Sequence, residues 1–384
     1  MNDAPLVYLI AGEPSGDRLG ARMMAALKSE LGNQVRFQGI GGEMMAAQGL
    51  RSLFPISELA VMGIAEVLPK LRRILRRIKE TRADVLRTKP AVLVTIDSPD
   101  FTLRVAKGLK GQGIPLIHYV APSVWAWKAG RARKMAGYLD RVMTLLPFEP
   151  GYFTPHRLAA DFVGHPVIES GADKGHGPQF RAAHKIGAQD KLLCLLPGSR
   201  GGEIERHLPI LRDVAARIQR ANLSLVMPTV PHLEARIRAA VASWPRPPIV
   251  VAGEAAKFDA FAASDAAVAA SGTVSLELAL ARVPTVVIYR VSPLTAAVVR
   301  RLIKVRFASI VNLLMEDEVI PEFLQEDCNA MQIAPAIERL LSDPAFAAEQ
   351  VERASRAIAM LTPPGRTPSE AAARVVARAI GKAS

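Results

Sequence analysis

Short apolar runs alternate with polar loops and helical stretches along most of this chain. The first run, residues 7–12, leads into a loop rich in Gly, Ser and Asp and then into a helical pattern from Leu19 to Leu31. Similar runs follow at 35–40, 91–97, 115–120, 141–146, 161–165, 192–198, 224–229, 248–253, 266–271 and 285–290. Such alternation is typical of parallel sheets that helices cover on both faces. The sequence therefore predicts an α/β fold of doubly wound parallel sheets.

The pattern is interrupted once, near the middle of the chain. Residues 171–180 are polar and rich in Gly and Pro, which indicates an interdomain linker. A chain of 384 residues is long enough for two domains. We therefore expect one domain over 1–170, a second over 181–360 and a C-terminal helix within 361–384. Doubly wound domains bind ligands at the carboxyl ends of their strands.

Charge and cysteine content narrow the class of protein. The net charge of +13 indicates an anionic partner, which nucleic acid, an acidic membrane surface or a phosphorylated small molecule could each provide. Cys194 and Cys328 cannot build a disulfide framework, which favours a reduced cytoplasmic protein. The first residues lack the basic region of a secretory signal. The apolar runs end well before the roughly 20 residues that a membrane-spanning helix needs.

Two turns in the first half follow apolar strands and carry candidate ligand-binding residues. The turn from Gly12 to Asp17 could expose helix-start amides to an anion, or Ser15 or Asp17 could simply cap the helix. Its spacing is not that of a dinucleotide fingerprint. Asp97 and Asp100 end a strong strand, where a carboxylate could act as a general base or as a helix cap. Their spacing is not that of a D-x-D metal site.

An aromatic loop and a basic amphipathic segment complete the first half. Residues 118–128 contain two of the three Trp beside several basic residues, which suits a sugar or phosphate ligand or local packing. Residues 64–79 combine apolar residues at helical spacing with six basic ones. This pattern favours either a helix lying on an anionic membrane surface or a core helix with a solvated basic face.

Two turns in the second half indicate a nucleotide site. In the stretch 196–203, backbone amides and an arginine could cradle a diphosphate, although an ordinary turn with a surface arginine has the same sequence. In the stretch 270–277, a loop of small residues opens a helix and a glutamate follows one turn later. That carboxylate could accept hydrogen bonds from ribose hydroxyls, or it could serve the helix dipole.

Taken together, these segments resemble the lipid-A-disaccharide synthase family over nearly the whole chain. Their order, spacing and number make the resemblance specific, since no single short motif would. The matching stretches are AGEPSGD (11–17), ELAVMGIAEVL (58–68), IDSPDF (96–101), IHYVAPSVWAW (117–127), LPFE (146–149), FVGHP (162–166), LLPGSRGGEIE (195–205), ASGTVSLE (270–277) and NLL (312–314).

The resemblance implies a fold, a reaction and a location. The fold would be GT-B, with two Rossmann-like domains facing across a cleft and the final helix returning to the N-terminal domain. The reaction would join UDP-2,3-diacylglucosamine to 2,3-diacylglucosamine 1-phosphate (lipid X), releasing UDP and the β-1,6-linked disaccharide 1-phosphate of lipid A biosynthesis. The enzyme would need no metal and no cofactor. It would be cytoplasmic and peripheral on the anionic inner membrane of a Gram-negative bacterium, with a homodimer as one option.

The resemblance also implies roles for individual residues. Asp97 would be the base that takes the proton from the acceptor 6-hydroxyl. The residues on the donor side would be Gly198, Ser199, Arg200, Ser271, Gly272, Thr273, Glu277 and Asn312. Those on the acceptor side would be Glu13, Ser15, Asp17, Asp100, Ser123 and Trp125. The residues facing the membrane would be Val67, Leu68, Leu71, Ile74 and Leu75.

Two other functions stay open at this level. Another GT-B activity on UDP-N-acetylglucosamine, such as a muramyl-lipid transferase or an epimerase, would share the nucleotide features, but the segments 96–101 and 123–127 argue against it. A nucleic-acid-binding protein without catalysis would fit the charge. Against it, the basic residues are spread along the chain and the aromatic ones are few and clustered.

Overall fold

The structure is a computed structural model that describes residues 4–59, 67–127, 130–292, 296 and 305–381, with the side chains of 67–71 left out. The chain divides into two compact units. The first unit consists of Met1–Pro166 together with Leu361–Ser384, and the second of Val167–Met360.

The first unit contains a seven-stranded parallel sheet with the order β3-β2-β1-β4-β5-β6-β7. Its strands are β1 (Leu6–Ala11), β2 (Arg36–Ile40), β3 (Arg51–Ser52), β4 (Val92–Ile96), β5 (Leu116–Tyr119), β6 (Arg141–Thr144) and β7 (Ala159–Phe162). Its first five helices are α1 (Pro14–Glu30), α2 (Glu43–Ala47), α3 (Val67–Thr88), α4 (Pro99–Lys107) and α5 (Gly130–Ala136).

The strand order of this sheet reverses between β1 and β4. Both strands are mostly apolar and almost wholly buried, because separate hydrophobic clusters cover the two faces of the sheet. At such a reversal the loops that leave the two strands diverge, and the crevice between them is where open α/β sheets bind ligands. The sheet therefore brings the two motif turns of the first half, 12–17 and 97–100, to one edge.

The second unit contains a six-stranded parallel sheet with the order β10-β9-β8-β11-β12-β13. Its strands are β8 (Lys191–Leu196), β9 (Leu223–Thr229), β10 (Ile249–Ala252), β11 (Ala266–Ala270), β12 (Thr285–Tyr289) and β13 (Glu322–Leu324). Its helices are α6 (Gly177–Ala183), α7 (Gly201–Arg217), α8 (Glu234–Val241), α9 (Glu254–Ala263), α10 (Thr273–Leu280), α11 (Ile310–Met315), α12 (Ala330–Ser342) and α13 (Pro344–Met360). The order reverses between β8 and β11, whose following loops carry the two predicted nucleotide motifs.

The last helix, α14 (Pro368–Ile380), packs in the first unit against α1. It begins at a capping box, in which the Thr367 hydroxyl accepts from the Glu370 amide and the Glu370 carboxylate accepts from the Thr367 amide. One face of the helix consists of small apolar residues, including Ala372, Ala373 and Val376, and is buried in the core of the first unit.

Residues 171–180, which the sequence predicts as a linker, pack instead inside the second unit. A single 3-10 turn (Ala172–Lys174) and α6 both contact α9. A Cβ on Gly175 would lie 2.0 Å from the carbonyl oxygen of Phe258, and one on Gly177 would lie 2.3 Å from that of Ala262. The glycines thus serve a close approach of two backbones rather than flexibility. None of the described helices is both long enough and apolar enough to cross a membrane.

Candidate active site

The turns after β1 and β4 touch each other in the first unit. A Cβ on Gly12 would lie 2.4 Å from both the Cβ and the Oγ of Ser98, so a larger residue at position 12 would displace the second turn. The sequence-predicted segments 12–17 and 97–100 are therefore adjacent.

Asp97 lies at this contact with its backbone in the left-handed region, at φ 48°, and Ser98 follows at φ 43°. Two hydrogen bonds hold this uncommon conformation: the Asp97 amide donates to the carbonyl oxygen of Tyr119 at 2.9 Å, and the Thr102 hydroxyl donates to that of Asp97 at 2.7 Å. The N-cap of α4 is Ser98, without a side-chain cap. Within the described residues the partly buried Asp97 carboxylate has no hydrogen bond or ion pair, and it is therefore available to a ligand hydroxyl.

Asp17 does not have the role predicted for it. It is 6 % exposed, and its carboxylate accepts hydrogen bonds from the amides of Gly42, Met44 and Met45 at 2.7, 3.1 and 3.1 Å. It therefore caps α2 and not its own helix. Two residues separate the end of β2 from the start of α2. With three internal partners, this carboxylate is not free for an acceptor sugar, and its role is to hold the loop after β2 against the loop after β1.

The other acceptor-side candidates remain on the surface. Glu13, Ser15 and Asp100 are exposed, and no hydrogen bond or ion pair of their side chains occurs among the residues described. Ser123 is likewise exposed, in the loop that follows β5. All four side chains are exposed at the carboxyl edge of the first sheet, where they can bind a polar ligand.

Trp125 anchors the loop after β5 from inside. Its indole N–H donates to Oε1 of Glu149 at 2.9 Å, while Oε2 of Glu149 accepts from the amides of Leu145 and Leu146 at 2.9 and 3.0 Å. Burial raises the pKa of Glu149, although these three hydrogen bonds favour its ionised form. The indole N–H of Trp125 is thus not available to a ligand. Sequence reasoning missed this anchoring role of Glu149, although the residue lies in the LPFE stretch that the resemblance includes.

His118, in β5, is a core residue. It is wholly buried, and its Nδ1 lies 2.9 Å from the Thr95 hydroxyl, which donates to the carbonyl oxygen of Ile117. Burial lowers the pKa of His118 to about 3, and the positive charge of Arg131 acts in the same direction. The side chain is therefore neutral and structural.

In the second unit, the turn after β8 is closed by Glu203. Its Oε2 accepts from the amides of Ser199 and Arg200 at 3.1 and 3.2 Å, and its Oε1 pairs with the Arg200 guanidinium at 3.1 Å. Gly198 has φ 113°, and a Cβ there would lie 2.5 Å from Oε2 of Glu203. Two of the amides predicted to bind a diphosphate are therefore already occupied.

The remaining anion-binding groups of this turn lie at the very start of α7. The amides of Gly201 and Gly202 have no hydrogen-bond partner in the described part of the chain. The Arg200 side chain is 82 % exposed, so its contact with Glu203 leaves most of its donors to solvent. Helix-start amides beside a guanidinium can bind a diphosphate.

The turn after β11 lies beside the turn after β8, because these strands are neighbours. The Ser271 amide donates to the carbonyl oxygen of Ile288 and its hydroxyl donates to that of Ala308, at 2.9 and 3.1 Å. Gly272 and Thr273 are exposed, and the space around a Cβ on Gly272 is empty. This turn can therefore approach a ligand through its backbone.

Glu277, one turn into α10, is paired with a residue that sequence reasoning missed. Lys257 Nζ donates to both carboxylate oxygens of Glu277, at 2.9 and 2.8 Å, and the two side chains are 24 % and 16 % exposed. No local pattern connects Lys257 with this motif, since it lies twenty residues earlier on α9. The pair holds the carboxylate in one orientation and leaves lone pairs for hydroxyl donors.

Asn312 is fully buried and cannot contact a donor through its side chain. Its Oδ1 accepts from the amides of Val319 and Ile320 at 3.0 and 2.9 Å, and its Nδ2 donates to the carbonyl of Ile320 and to Glu322, at 2.7 and 2.8 Å. All four hydrogen-bonding positions of the amide are thus used internally. The prediction of a direct donor contact is corrected to a structural role.

Glu322 extends this role to the turn after β11. Its carboxylate accepts from the amides of Ala308 and Ser309 at 2.7 and 2.8 Å, and Ala308 in turn accepts from the Ser271 hydroxyl. Burial raises the pKa of Glu322, and the three donors around it oppose that shift. Asn312 and Glu322 therefore hold the segment that packs on Ser271.

The residues that are predicted to face the membrane lie on α3, but they do not share one face of the helix. The side chains of Val67, Leu68 and Leu71 lie outside the described residues. Ile74 is partly buried and packs against the core of the first unit, whereas Leu75 is 44 % exposed. The exposed face also carries arginines, at positions 72, 73 and 76. Ile74 is therefore corrected to a core contact, while Leu75 stays available to an outside surface.

Metal-ligating residues do not gather in the described parts of either unit: no group of three or more His, Cys, Asp or Glu there could hold a metal ion.

Comparison with known proteins identifies the family. The family model for lipid-A-disaccharide synthetase matches residues 7–376. The chain belongs to the lipid-A-disaccharide synthase family. A lipid-A-disaccharide synthase from Rhodospirillum centenum is 48 % identical over 385 residues, which covers 98 % of this chain and 96 % of the relative.

Solved structures confirm the predicted GT-B fold class. MnaA from S. aureus, in a structure with UDP, has a TM-score of 0.64 at 12 % identity and covers 97 % of this chain and 94 % of its own. MurG from Acinetobacter baumannii has a TM-score of 0.55 at 14 % identity and covers 98 % and 99 %. At these identities the likeness concerns the fold alone, and the activity is assigned through the synthase family.

Proposed function

We propose that this member of the synthase family transfers a diacylglucosamine unit from UDP-2,3-diacylglucosamine to the 6-hydroxyl of 2,3-diacylglucosamine 1-phosphate. The products are the β-1,6-linked disaccharide 1-phosphate and UDP. The observation that carries the proposal is the Asp97 carboxylate, which is held at the reversal point of the first sheet by its strained backbone and has no partner among the residues that the structure describes. Family membership supplies the identity of the substrates.

Asp97 is assigned to the acceptor hydroxyl as a general base. It takes the proton of the 6-hydroxyl as that oxygen attacks the anomeric carbon of the donor. The new carbon–oxygen bond forms while the bond from that carbon to the diphosphate breaks, and the electron pair stays on the departing UDP. One attack from the opposite side gives inversion, which needs one base and a stabilised leaving group. Around it, Glu13, Ser15, Asp100 and Ser123 would bind acceptor hydroxyls.

The donor is assigned to the second unit. The Arg200 guanidinium and the free amides of Gly201 and Gly202 would balance the charge that develops on the leaving diphosphate. Glu277, oriented by its ion pair with Lys257, would accept hydrogen bonds from the ribose hydroxyls. The exposed backbone of Gly272 and Thr273 would approach the nucleotide.

The protein is further proposed to act at the cytoplasmic surface of the inner membrane as a peripheral enzyme. Support comes from the exposed arginines of α3 and from Leu75 among them, since this combination binds anionic interfaces. Co-sedimentation with vesicles that contain anionic phospholipid measures it. Leu75→Ser should reduce the bound fraction with the fold intact, and Ile333→Val, in the core of the second unit, is a control that should not. Equal binding of Leu75→Ser and wild type would count against this surface.

The reaction is tested in detergent with both substrates, followed by mass spectrometry of the lipid and by UDP release. Wild-type protein should give one disaccharide 1-phosphate for each UDP. Asp97→Asn keeps the shape of the side chain but cannot accept the proton, so turnover should fall by a factor of about 10²–10⁴ while UDP still binds. Full turnover by Asp97→Asn would show that Asp97 is not the base. If the folded wild-type protein makes no disaccharide, the proposed substrates are wrong and the protein acts on others.

A further inference from the structure

His207 is a buried side chain for which the proposed chemistry has no direct use. It lies about two turns into α7 and is wholly shielded from solvent. Its Nδ1 is 2.7 Å from the carbonyl oxygen of Pro197, and its Nε2 accepts from the amide of Arg290 at 3.0 Å. Pro197 begins the turn after β8, and Arg290 follows the end of β12.

The two partners of His207 belong to strands that are not neighbours. In the second sheet β11 lies between β8 and β12. One imidazole therefore joins the turns on both sides of the strand that carries the Ser271 turn. These two hydrogen bonds are tertiary contacts at the carboxyl edge of the sheet, where the residues proposed to bind the nucleotide lie.

The hydrogen bonds determine the tautomer of the ring. The Arg290 amide can only donate, so Nε2 must be unprotonated, and Nδ1 therefore carries the hydrogen that goes to Pro197. Burial lowers the pKa of His207, and the charges of Arg206 and Arg290 act in the same direction, against the Pro197 carbonyl and Glu203. The ring is thus a neutral connector with one donor and one acceptor.

The preceding residue, Arg206, also connects α7 to Arg290. The Nε of Arg206 donates to the carbonyl oxygen of Arg290 at 3.2 Å, so two successive residues of α7 hold both the amide and the carbonyl of Arg290. The His207 ring also lies against Tyr289, with ring centroids 6.0 Å apart. The start of α7 is consequently fixed to the end of β12 as well as to β8.

We propose that His207 is a positioning residue for the donor diphosphate: it sets the turn 197–202 so that Arg200 and the amides of Gly201 and Gly202 face the phosphates in one geometry. This inference rests on the assignment of the donor to the second unit. His207 itself touches no substrate. Its effect should therefore appear as a loss of affinity for the nucleotide and not as a change in the base that accepts the proton.

The test compares two replacements of similar size in the full-length protein. His207→Phe removes both hydrogen bonds, whereas His207→Gln keeps one donor and one acceptor. UDP affinity is measured by calorimetry, together with the KM for each substrate and kcat. His207→Phe should weaken UDP binding and raise the donor KM by at least about tenfold, with the acceptor KM unchanged. His207→Gln should recover most of the loss, and the exposed His232→Gln is the control that changes nothing.

Each outcome decides the proposal. A folded His207→Phe protein with wild-type UDP affinity would overturn it, and so would a His207→Gln protein as impaired as His207→Phe. Should His207→Phe not fold, Arg206→Met removes the neighbouring bond to Arg290 from a partly exposed side chain, and unchanged UDP affinity in both Arg206→Met and His207→Gln would then overturn it. Absence of UDP binding in the wild-type protein is a different result, which removes the proposed donor site together with this inference.

Discussion

Gly12 and Ser98 approach so closely that a Cβ at position 12 would lie 2.4 Å from two atoms of the Ser98 side chain. Gly12 directly follows β1, and Ser98 is the N-cap of α4, the helix after β4, so this contact lies at the reversal of strand order. Asp97, next to Ser98, is held in a left-handed conformation at the same place. The glycine at position 12 is therefore part of what positions the proposed base.

Gly12→Ala should damage both stability and activity. The added methyl group must push Ser98 away, and such overpacking costs about 1–3 kcal/mol of unfolding free energy. Because Asp97 is the preceding residue, we expect kcat to fall more than tenfold, on the order expected when a base is displaced by about 1 Å. Gly151→Ala, whose Cβ would meet nothing within 4 Å, is the matched control. Denaturant titration and turnover are measured for both, and a fully active Gly12→Ala protein would contradict the account.

Asp17→Asn should destabilise the protein through the loop after β2. The amides of Gly42 and Met45 face Oδ1 of Asp17, and that of Met44 faces Oδ2. Asparagine has an NH2 group in place of one of these two oxygens, so that group would face a backbone N–H that it cannot accept from. The unfolding free energy should fall by about 1–3 kcal/mol. Asp100→Asn replaces an exposed carboxylate that has no partner in the described ranges of the chain, and it should change stability by less than about 0.5 kcal/mol. Equal unfolding midpoints for the two variants would refute the capping role.

Much of the fold could be predicted because its determinants are local. Most strands of the two sheets are short apolar runs, although the edge strands β3 and β13 are not. Parallel strands place the residue that follows them at a common edge. The location of Asp97 needed nothing more than that rule. The same rule placed Arg200 and Glu277 at the edge of the second sheet.

The remaining features depend on partners that are distant in sequence. Asp17 is occupied by amides more than twenty residues away, and Lys257 reaches Glu277 from another helix. The Asn312 side chain accepts hydrogen bonds from the amides of Val319 and Ile320, and the short NLL motif does not indicate that the chain turns back to it there. Glycines at 175 and 177 indicated a linker because a flexible loop and a close backbone approach need the same residue.

The buried histidine of β5 predicts a loss of stability in acid. The pKa of His118 is lowered to about 3, so between about pH 6.5 and pH 3 the unfolded chain binds a proton that the folded protein does not. The unfolding free energy should therefore fall as the pH falls through this window, by up to about 1.4 kcal/mol for each pH unit from this one group. His118→Gln can still bond to Thr95 and does not titrate.

Urea unfolding at about pH 7 and about pH 5 measures this effect in both proteins. The wild type should lose more stability between the two conditions than His118→Gln does. His207 and His165 also have lowered pKa values and should leave a common residual slope in both proteins. Identical losses would show that His118 is not a neutral core residue in the folded protein.

The assignment of Glu277 to the ribose predicts a specific coupling between residue and ligand. A carboxylate that accepts hydrogen bonds from the two hydroxyls should make UDP bind better than its 2′,3′-dideoxy analogue by about 1.5–3 kcal/mol, or roughly ten- to a hundredfold. Glu277→Ala should bind UDP more weakly but lose this preference, because the hydroxyls then have no partner. Lys257→Met should retain part of it, since it removes only the group that orients the carboxylate.

Calorimetric titration of the three proteins with both ligands gives the coupling directly, as in a double-mutant cycle. Glu254→Ala, at the start of α9, is a control on the same helix as Lys257 and should keep the full preference. If Glu277→Ala discriminates between the ligands as well as the wild type does, the ribose is bound elsewhere. The pair of Lys257 and Glu277 would then be a structural ion pair, whose removal lowers stability without changing which nucleotide is preferred.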